Sequence, residues 1–325
     1  MHAIRLSAFG PPDSLVLDEL PDLSPGAGQV RIAVEASGVH LLDTTLRRGE
    51  PGPVPLPELP TVPGREVAGT VDAVGEGAAA DWLGARVVAH LGTAPGGYAE
   101  QAVAPGGALF RVPDGVGADA AVAAVGTGRT AQGVLELEPP TADDVVLVPA
   151  AAGGLGWLLV QGAQAAGATV VAAARGEGKL ARLAGLGADL VVDYGRPGWD
   201  AAVREAFGGV TLVYDGVGGQ VGRAALELLR PGGRQVLFGW SAGAPTAFDT
   251  GDVVARAITV GWSLGPRMAA LPGGIPGLAG RALARVAAGA WTPLITAYPL
   301  AEAARAHADL EQRRTMGKVV LQPGA

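Results

Sequence analysis

The residues of this chain with the plainest chemical consequence are small ones. Residues 145–156 read VVLVPAAAGGLG, an apolar run short enough for one buried strand that empties into alanine and glycine, and the WLLVQGAQAAG after it reads as an apolar helix. A strand, a small-residue turn and a helix N-terminus together make a pyrophosphate seat. Glycine lets the backbone approach closely, and the unpaired N–H groups of the first helical turn attract an anion. Laid on residues 151–156, the G-x-G-x-x-G spacing finds Ala151 in the first place and Gly153 and Gly156 in the other two. Ala152, Gly153, Gly154, Leu155 and Gly156 are therefore the expected contacts of a dinucleotide. The next strand, TVVAAA, follows at the spacing of a βαβ unit, and its end is where an NAD site carries an acid for the ribose 2′-hydroxyl. Here that place is Ala174, followed by Arg175. An acid lost and a cation gained predict a 2′-phosphate, and so NADPH over NADH. Glu177 is near enough in sequence to pair with Arg175, although a surface pair of that kind is weak enough for phosphate to compete.

These residues need a scaffold, and the chain carries two rhythms. From residue 1 to about 119, short β-like runs such as VRIAVEASGV, REVAGTVDAVG and ARVVAHL alternate with Gly and Pro, which predicts a compact, mostly antiparallel domain. From about Val145, strands alternate with helices: VVLVP, TVVAAA, LVVD, TLVYD (211–215), RQVLFG (234–239) and AITVGWSL (257–264). That alternation predicts an α/β domain with a doubly wound parallel sheet. Residues 280–325 leave this rhythm and close on KVVLQP, so they are expected to pack back on the first domain. The predicted division is 1–122 with 265–325, and 123–264, with a cleft between the domains for a second substrate.

Composition narrows the classes. A length of 325 residues favours two domains. No apolar run reaches the roughly 18 residues of a membrane span, and MHAIRLSAFGPPDS lacks the pattern of a secretory signal, so a cytoplasmic location is expected. A net charge of −7 argues against nucleic acid as a main partner. With no cysteine, disulfides and thiolate metal sites are excluded.

Six segments, SGVHLLDTTLRRG, PGREVAG, GGYAEQAV, AAAGGLG, VYDGVGG and AARAHADLEQRRTMGKVVL, occur in an order that resembles the zinc-independent medium-chain dehydrogenase/reductase superfamily. The likeness is greatest to its NADPH:quinone oxidoreductases, the zeta-crystallin group. The resemblance implies a GroES-like catalytic domain, a Rossmann domain, and a homodimer or tetramer joined through the Rossmann sheet edge. In zinc-dependent relatives a Cys and a His hold the catalytic metal. The corresponding residues are His40 and Arg65, and a guanidinium is no ligand at neutral pH, so no metal is expected. His40 reads either as a polar cleft residue or as a hydrogen-bonded structural histidine, and His90 and His307 read as structural.

By the same resemblance, Lys179 and Tyr194 fall where the 2′-phosphate binds, Thr127 and Thr130 beside the nicotinamide, and Gly218, Phe238 and Gly239 along the cofactor wall. Arg267 falls near a substrate-cleft arginine. A solvated helix residue is the other reading of Lys179, and ordinary helix-cap roles are the other reading of the two threonines. Two substrate-cleft tyrosines of the family are replaced by Thr45 and by a residue at 50–51, so the quinone contacts do not carry over. His40, Thr45, Arg65, Thr127 and Arg267 form the expected polar set around the reacting atoms. The function implied is NADPH-dependent hydride transfer to a quinone or a small α,β-unsaturated carbonyl compound. Alternatives are an enoyl-thioester reductase, which basic rim residues such as Arg47 and Arg48 would favour, and a non-catalytic NADPH-binding protein.

Overall fold

The computed structural model describes residues 1–52 and 54–324, and the chain divides into two compact units, Met1–Gly128 with Ala279–Ala325, and Arg129–Leu278. The boundaries expected from the sequence, 122/123 and 264/265, fall six and fourteen residues before those of the units, 128/129 and 278/279.

The Arg129–Leu278 unit is built on six parallel strands. Their spatial order is Leu190–Asp193, Thr169–Ala174, Val145–Pro149, Val210–Asp215, Leu229–Leu237 and Thr259–Trp262. Counted along the chain this is 3-2-1-4-5-6, the order whose reversal beside the first strand leaves a crevice for a dinucleotide. The central strand, VVLVP, is buried at every position, as a parallel strand covered on both faces must be. Leu147, Val171, Ala173, Val213 and Leu226 belong to one core cluster. The fifth strand starts at Leu229, earlier than its apolar run, and a register shift between Val210 and Leu212 accommodates the Pro-Gly-Gly inside it. It ends at Leu237, so Phe238 and Gly239 stand just beyond it. The sixth strand is shorter than the expected 257–264, because Ala257 takes a left-handed conformation (φ 52°) that caps the preceding helix.

The other unit carries a sheet in the order Ile295–Pro299, Lys318–Gln322, Gln29–Val39, Glu66–Val74, Arg86–His90 and Leu109–Arg111, with Gln101–Pro105 also pairing Gln29–Val39. All pairs are antiparallel except the first, which is parallel. The final strand docks on Gln29–Val39, as expected of a segment that leaves the α/β rhythm. Helix Ala118–Ala123 runs into a π-helical turn, Ala124–Gly128, and on into helix Arg129–Leu137. Such turns commonly mark functional positions in helices.

Candidate active site

At the turn after the central strand, Ala150 is left-handed (φ 52°) and Gly153 caps helix Gly154–Ala165 with extended backbone and no side-chain bond. The Trp157 N–H makes the first helical bond, to the Gly153 carbonyl at 2.9 Å. The N–H groups of Gly154, Leu155 and Gly156 therefore precede the helical ladder and face outward from its end. A Cβ on Gly156 would lie 2.5 Å from the Ala150 carbonyl oxygen, so this glycine is what lets the helix close on the turn.

At the end of Thr169–Ala174, Ala174 is buried and Arg175 is exposed, its guanidinium 5.7 Å from the centroid of the Tyr194 ring. The pairing of Arg175 with Glu177 expected from sequence is replaced by another. Glu177 meets Arg196 at 3.6 Å, a cation that sequence reasoning missed. The acid of the neighbouring strand end, Asp193, accepts from the N–H groups of Gly195 (2.8 Å) and Gly176 (3.3 Å). It is thereby held to the backbone. Lys179 is half-buried on helix Glu177–Gly185, and Tyr194 follows the strand Leu190–Asp193 rather than ending it. Gly218 (φ 69°) caps helix Gly219–Glu227, where Asp215 Oδ1 accepts from the N–H groups of Val217 and Gly218 at 2.8 and 3.0 Å. The other oxygen of Asp215 accepts from Thr246 (2.6 Å) and Gln235 (2.9 Å). This wholly buried carboxylate, absent from the sequence-predicted set, shapes the turn. Phe238 packs against Gly216, where a Cβ would enter its ring.

In the other unit the chemistry gathers around Glu66, the first residue of its strand and 1% exposed. Register places His90 opposite it across the Arg86–His90 strand, with Nε2 3.8 Å from Oε1. His40 Nε2 contacts the same oxygen, and Lys318 Nζ donates to Oε2 at 2.9 Å. Gly38 and Gly126 leave room for the carboxylate, since a Cβ on either would collide with it. Burial alone would raise the Glu66 pKa, but the positive charges of His40 and Lys318 override it and hold the carboxyl well below its ordinary value. His90, read as structural from sequence, thus stands beside the site.

A second network starts one residue earlier. Arg65 Nε is 3.7 Å from Asp43 Oδ1. The Asp43 carboxylate accepts from the His40 N–H at 2.7 Å and from the Tyr98 hydroxyl at 3.1 Å. Tyr98 is also 3.1 Å from His307 Nε2. Both rings are buried, and burial pushes the Tyr98 hydroxyl well up and His307 down to about 4. His307 is structural, as expected. Asp43 and Arg65 line a cavity of about 480 Å³ whose other walls are mostly Leu, Val and Pro.

Residues 26–114 match the alcohol dehydrogenase GroES-like domain, and residues 154–276 match the zinc-binding dehydrogenase family. The chain is 33% identical over 327 residues to a 2-haloacrylate reductase of a Burkholderia species, covering 97% of each. It is 32% identical over 331 residues to a quinone oxidoreductase of Pseudomonas aeruginosa, covering 98% of this chain and 99% of that one. The chain belongs to the quinone oxidoreductase family of medium-chain dehydrogenases/reductases. A mycobacterial protein solved as a complex with NADPH has a TM-score of 0.86 at 37% identity, covering 99% of this chain and 100% of the other.

Measured against the expected set for a quinone oxidoreductase, the residues separate. His40 and Arg65 lie in neighbouring networks, joined through Asp43. Thr45 is half-buried on helix Leu41–Arg47 but is not among the residues lining the cavity. Thr127 lies in the π turn and Thr130 in the helix after it, both half-buried, and neither caps a helix. Arg267 falls within the Arg129–Leu278 unit, where it donates to Glu138 and to the Trp262 carbonyl, both at 3.3 Å. The expected basic rim is corrected. Arg47 is buried and bound to Glu311 at 2.7 Å, and Arg48 is held by Glu50 at 2.8 Å and by Glu311. The charge of Arg47 is thus met inside the unit, whereas Arg48 and Glu50 stay at the surface, where such a pair is weak, so Arg48 alone is left of the expected rim. Among the described residues, no three His, Cys, Asp or Glu side chains are placed to hold a metal ion, and no helix is long and apolar enough to cross a membrane.

Proposed function

We propose that this oxidoreductase uses NADPH to reduce the electron-poor double bond of a quinone or a small α,β-unsaturated carbonyl compound, without a metal. The observation that carries the cofactor choice is the end of Thr169–Ala174. A buried alanine stands where an acid would hold a ribose hydroxyl, and an exposed arginine on the Tyr194 ring follows it. The residues fit the dinucleotide. Gly153, Gly154, Leu155 and Gly156 present the helix end to its pyrophosphate, with Ala152 in the turn before them, while Arg175, Lys179 and Tyr194 surround the 2′-phosphate. Thr130, Gly218, Phe238 and Gly239 are assigned to its wall and Thr127 to the carboxamide side. In this reading Arg129–Leu278 is the cofactor domain and the other unit the substrate domain.

Bound NADPH supplies a hydride, and the protein aligns the acceptor and excludes water. The cavity beside Arg65 receives the acceptor in mostly apolar surroundings, where a guanidinium can face developing negative charge on oxygen. His40, against the Glu66 carboxylate, can keep and release a proton at Nε2. Arg65, which stands where zinc-dependent relatives carry a histidine ligand, is a cation and repels a metal ion.

Titration with both cofactors tests the first half of this proposal. NADPH is expected to bind at least tenfold more tightly than NADH, and equal affinity refutes the assignment. Turnover tests the second half: NADPH oxidation with quinones or small enones is expected, and negligible oxidation of simple alcohols. His40→Ala should lower turnover about ten- to a hundredfold as one donor among several. An unchanged rate would return His40 to a structural role.

A further inference from the structure

The last strand, Lys318–Gln322, delivers one side chain to the buried charges around Glu66. Gly317 (φ 67°) turns the chain into that strand, at a point where a Cβ would stand 1.9 Å from the Leu294 carbonyl oxygen. The Lys318 N–H donates to the same oxygen at 2.7 Å. The ladder then pairs Val319 with Val39, which sets Lys318 beside His40. The lysine side chain crosses Gly38, where a Cβ would stand 2.9 Å from its Cε, and its Nζ reaches Glu66 Oε2 at 2.9 Å. The other oxygen of Glu66 meets His40 Nε2. His90 Nε2 faces that oxygen at 3.8 Å, but its Nδ1 accepts from the Gly92 N–H at 2.9 Å, so this ring is neutral with its proton on Nε2.

The charges around His40 pair off without it. Lys318 balances Glu66, and Arg65 lies 3.7 Å from Asp43, the acid that accepts from the His40 N–H. Tyr98, hydrogen-bonded to Asp43, is held protonated by burial. The site is therefore neutral when His40 is neutral and carries one positive charge when His40 is protonated. A buried carboxylate with a histidine as its sole counter-ion would keep that ring charged, since loss of the proton would strand the acid where it is poorly solvated. Lys318 removes that constraint.

We infer that Lys318 is a positioning residue for the proton step: it balances Glu66 from the oxygen His40 does not touch, and so lets His40 give up and regain a proton in every turnover. The inference rests on the reading of His40 as the proton donor in NADPH-dependent reduction. Hydride from bound NADPH leaves the acceptor as an anion, which takes one proton from the His40 imidazolium. Neutral His40 then takes its replacement from water. Glu66 and Lys318 keep their charges throughout, and Lys318, itself buried, acts only through Glu66.

Proton NMR titration of the histidine Cε1–H resonances tests this without turnover. The chain has four histidines, and the spectrum of His40→Gln assigns the one in question. Lys318→Gln leaves Glu66 to His40 and should raise the His40 titration midpoint by about one pH unit or more, a tenfold change in proton affinity. Glu66→Gln leaves His40 beside an unbalanced ammonium and should lower the midpoint by about as much. The double variant removes both charges. Its midpoint should fall between those of the native protein and Glu66→Gln, because His40 touches Glu66 directly and Lys318 only through it. The alkaline limb of kcat for NADPH oxidation with but-3-en-2-one should move in the same order, with KM nearly unaltered. A purely structural pair would change stability and leave every midpoint in place. Where a single variant does not fold, the double variant, which strands no charge, decides by its place below the native midpoint. Equal midpoints, or shifts in one direction for both single variants, overturn the inference. Midpoints in the expected order with an unmoved kcat limb, or with no turnover of the enone, fail the reading of His40 as donor to such an acceptor and leave the control of its charge by Lys318 in place.

Discussion

Glu66 shows what one residue can require of its surroundings. A carboxylate this deeply buried stays ionised only because Lys318, His40 and His90 face it, and removing one partner from a buried pair strands the other. Glu66→Gln should therefore destabilise the protein by about 3–5 kcal/mol, measured by urea unfolding at neutral pH. Because its folded pKa is depressed, the stability Glu66 contributes is present above the ordinary carboxylate value and is lost as pH falls through the lower folded value. His307 acts in a separate window. Its folded pKa of about 4 lies below the ordinary 6.5, so between those values the unfolded chain binds the extra proton. Stability should fall by up to about 1.4 kcal/mol per pH unit on going down through that window, and His307→Gln should flatten the slope. An unaltered slope in that variant would refute the assignment. At the cofactor end, Lys179→Ala should weaken NADPH binding about ten- to a hundredfold and leave NADH binding nearly unaltered.

Among the elements, the π turn Ala124–Gly128 has the clearest function, because it brings a glycine against the Glu66 carboxylate. A methyl at Gly126 would occupy the space of both carboxylate oxygens. Gly126→Ala should cost about 1–3 kcal/mol by overpacking and should lower turnover by displacing Glu66 from His40. A variant with native stability and turnover would show that the turn yields freely. The helix Gly154–Ala165 depends on Gly156 in a similar way, through its close approach to Ala150. Gly156→Ala should weaken NADPH binding more than it lowers stability.

At the scale of the whole molecule, the parallel sheet ends on Thr259–Trp262, which pairs with one neighbour within the chain. Trp262 (39% exposed) packs on Trp240 (49% exposed) with ring centroids 5.4 Å apart, and Val254 is 79% exposed. An apolar sheet end of this kind invites pairing across a two-fold axis, and a homodimer joined there is our expectation. Light scattering at micromolar concentration should report twice the chain mass, and Val260→Asp should reduce it to one. A monomeric native protein, with stability indifferent to Val260→Asp, would refute this.

The sequence by itself determined the features that depend on neighbours along the chain. The apolar runs, the Ala-Gly turn and the alternation of strand with helix report local backbone geometry, and the six parallel strands follow from them. Ala174 and Arg175 were legible for the same reason, since a cofactor's ribose lies at a fixed offset from the glycine turn. The surroundings of Glu66 were legible only in part. His40 and Arg65 stood out by motif, but His90 reaches Glu66 through strand register, and Lys318 comes from 252 residues away. The Tyr98–His307 contact spans 209 residues, and that between Arg47 and Glu311 spans 264. Proximity in sequence misplaced charge as well, for Glu177 met Arg196 rather than Arg175, and Arg47 turned inward. Only tertiary structure decides such pairings, because which charges share a buried volume depends on how distant strands and helices pack, and no local periodicity encodes that.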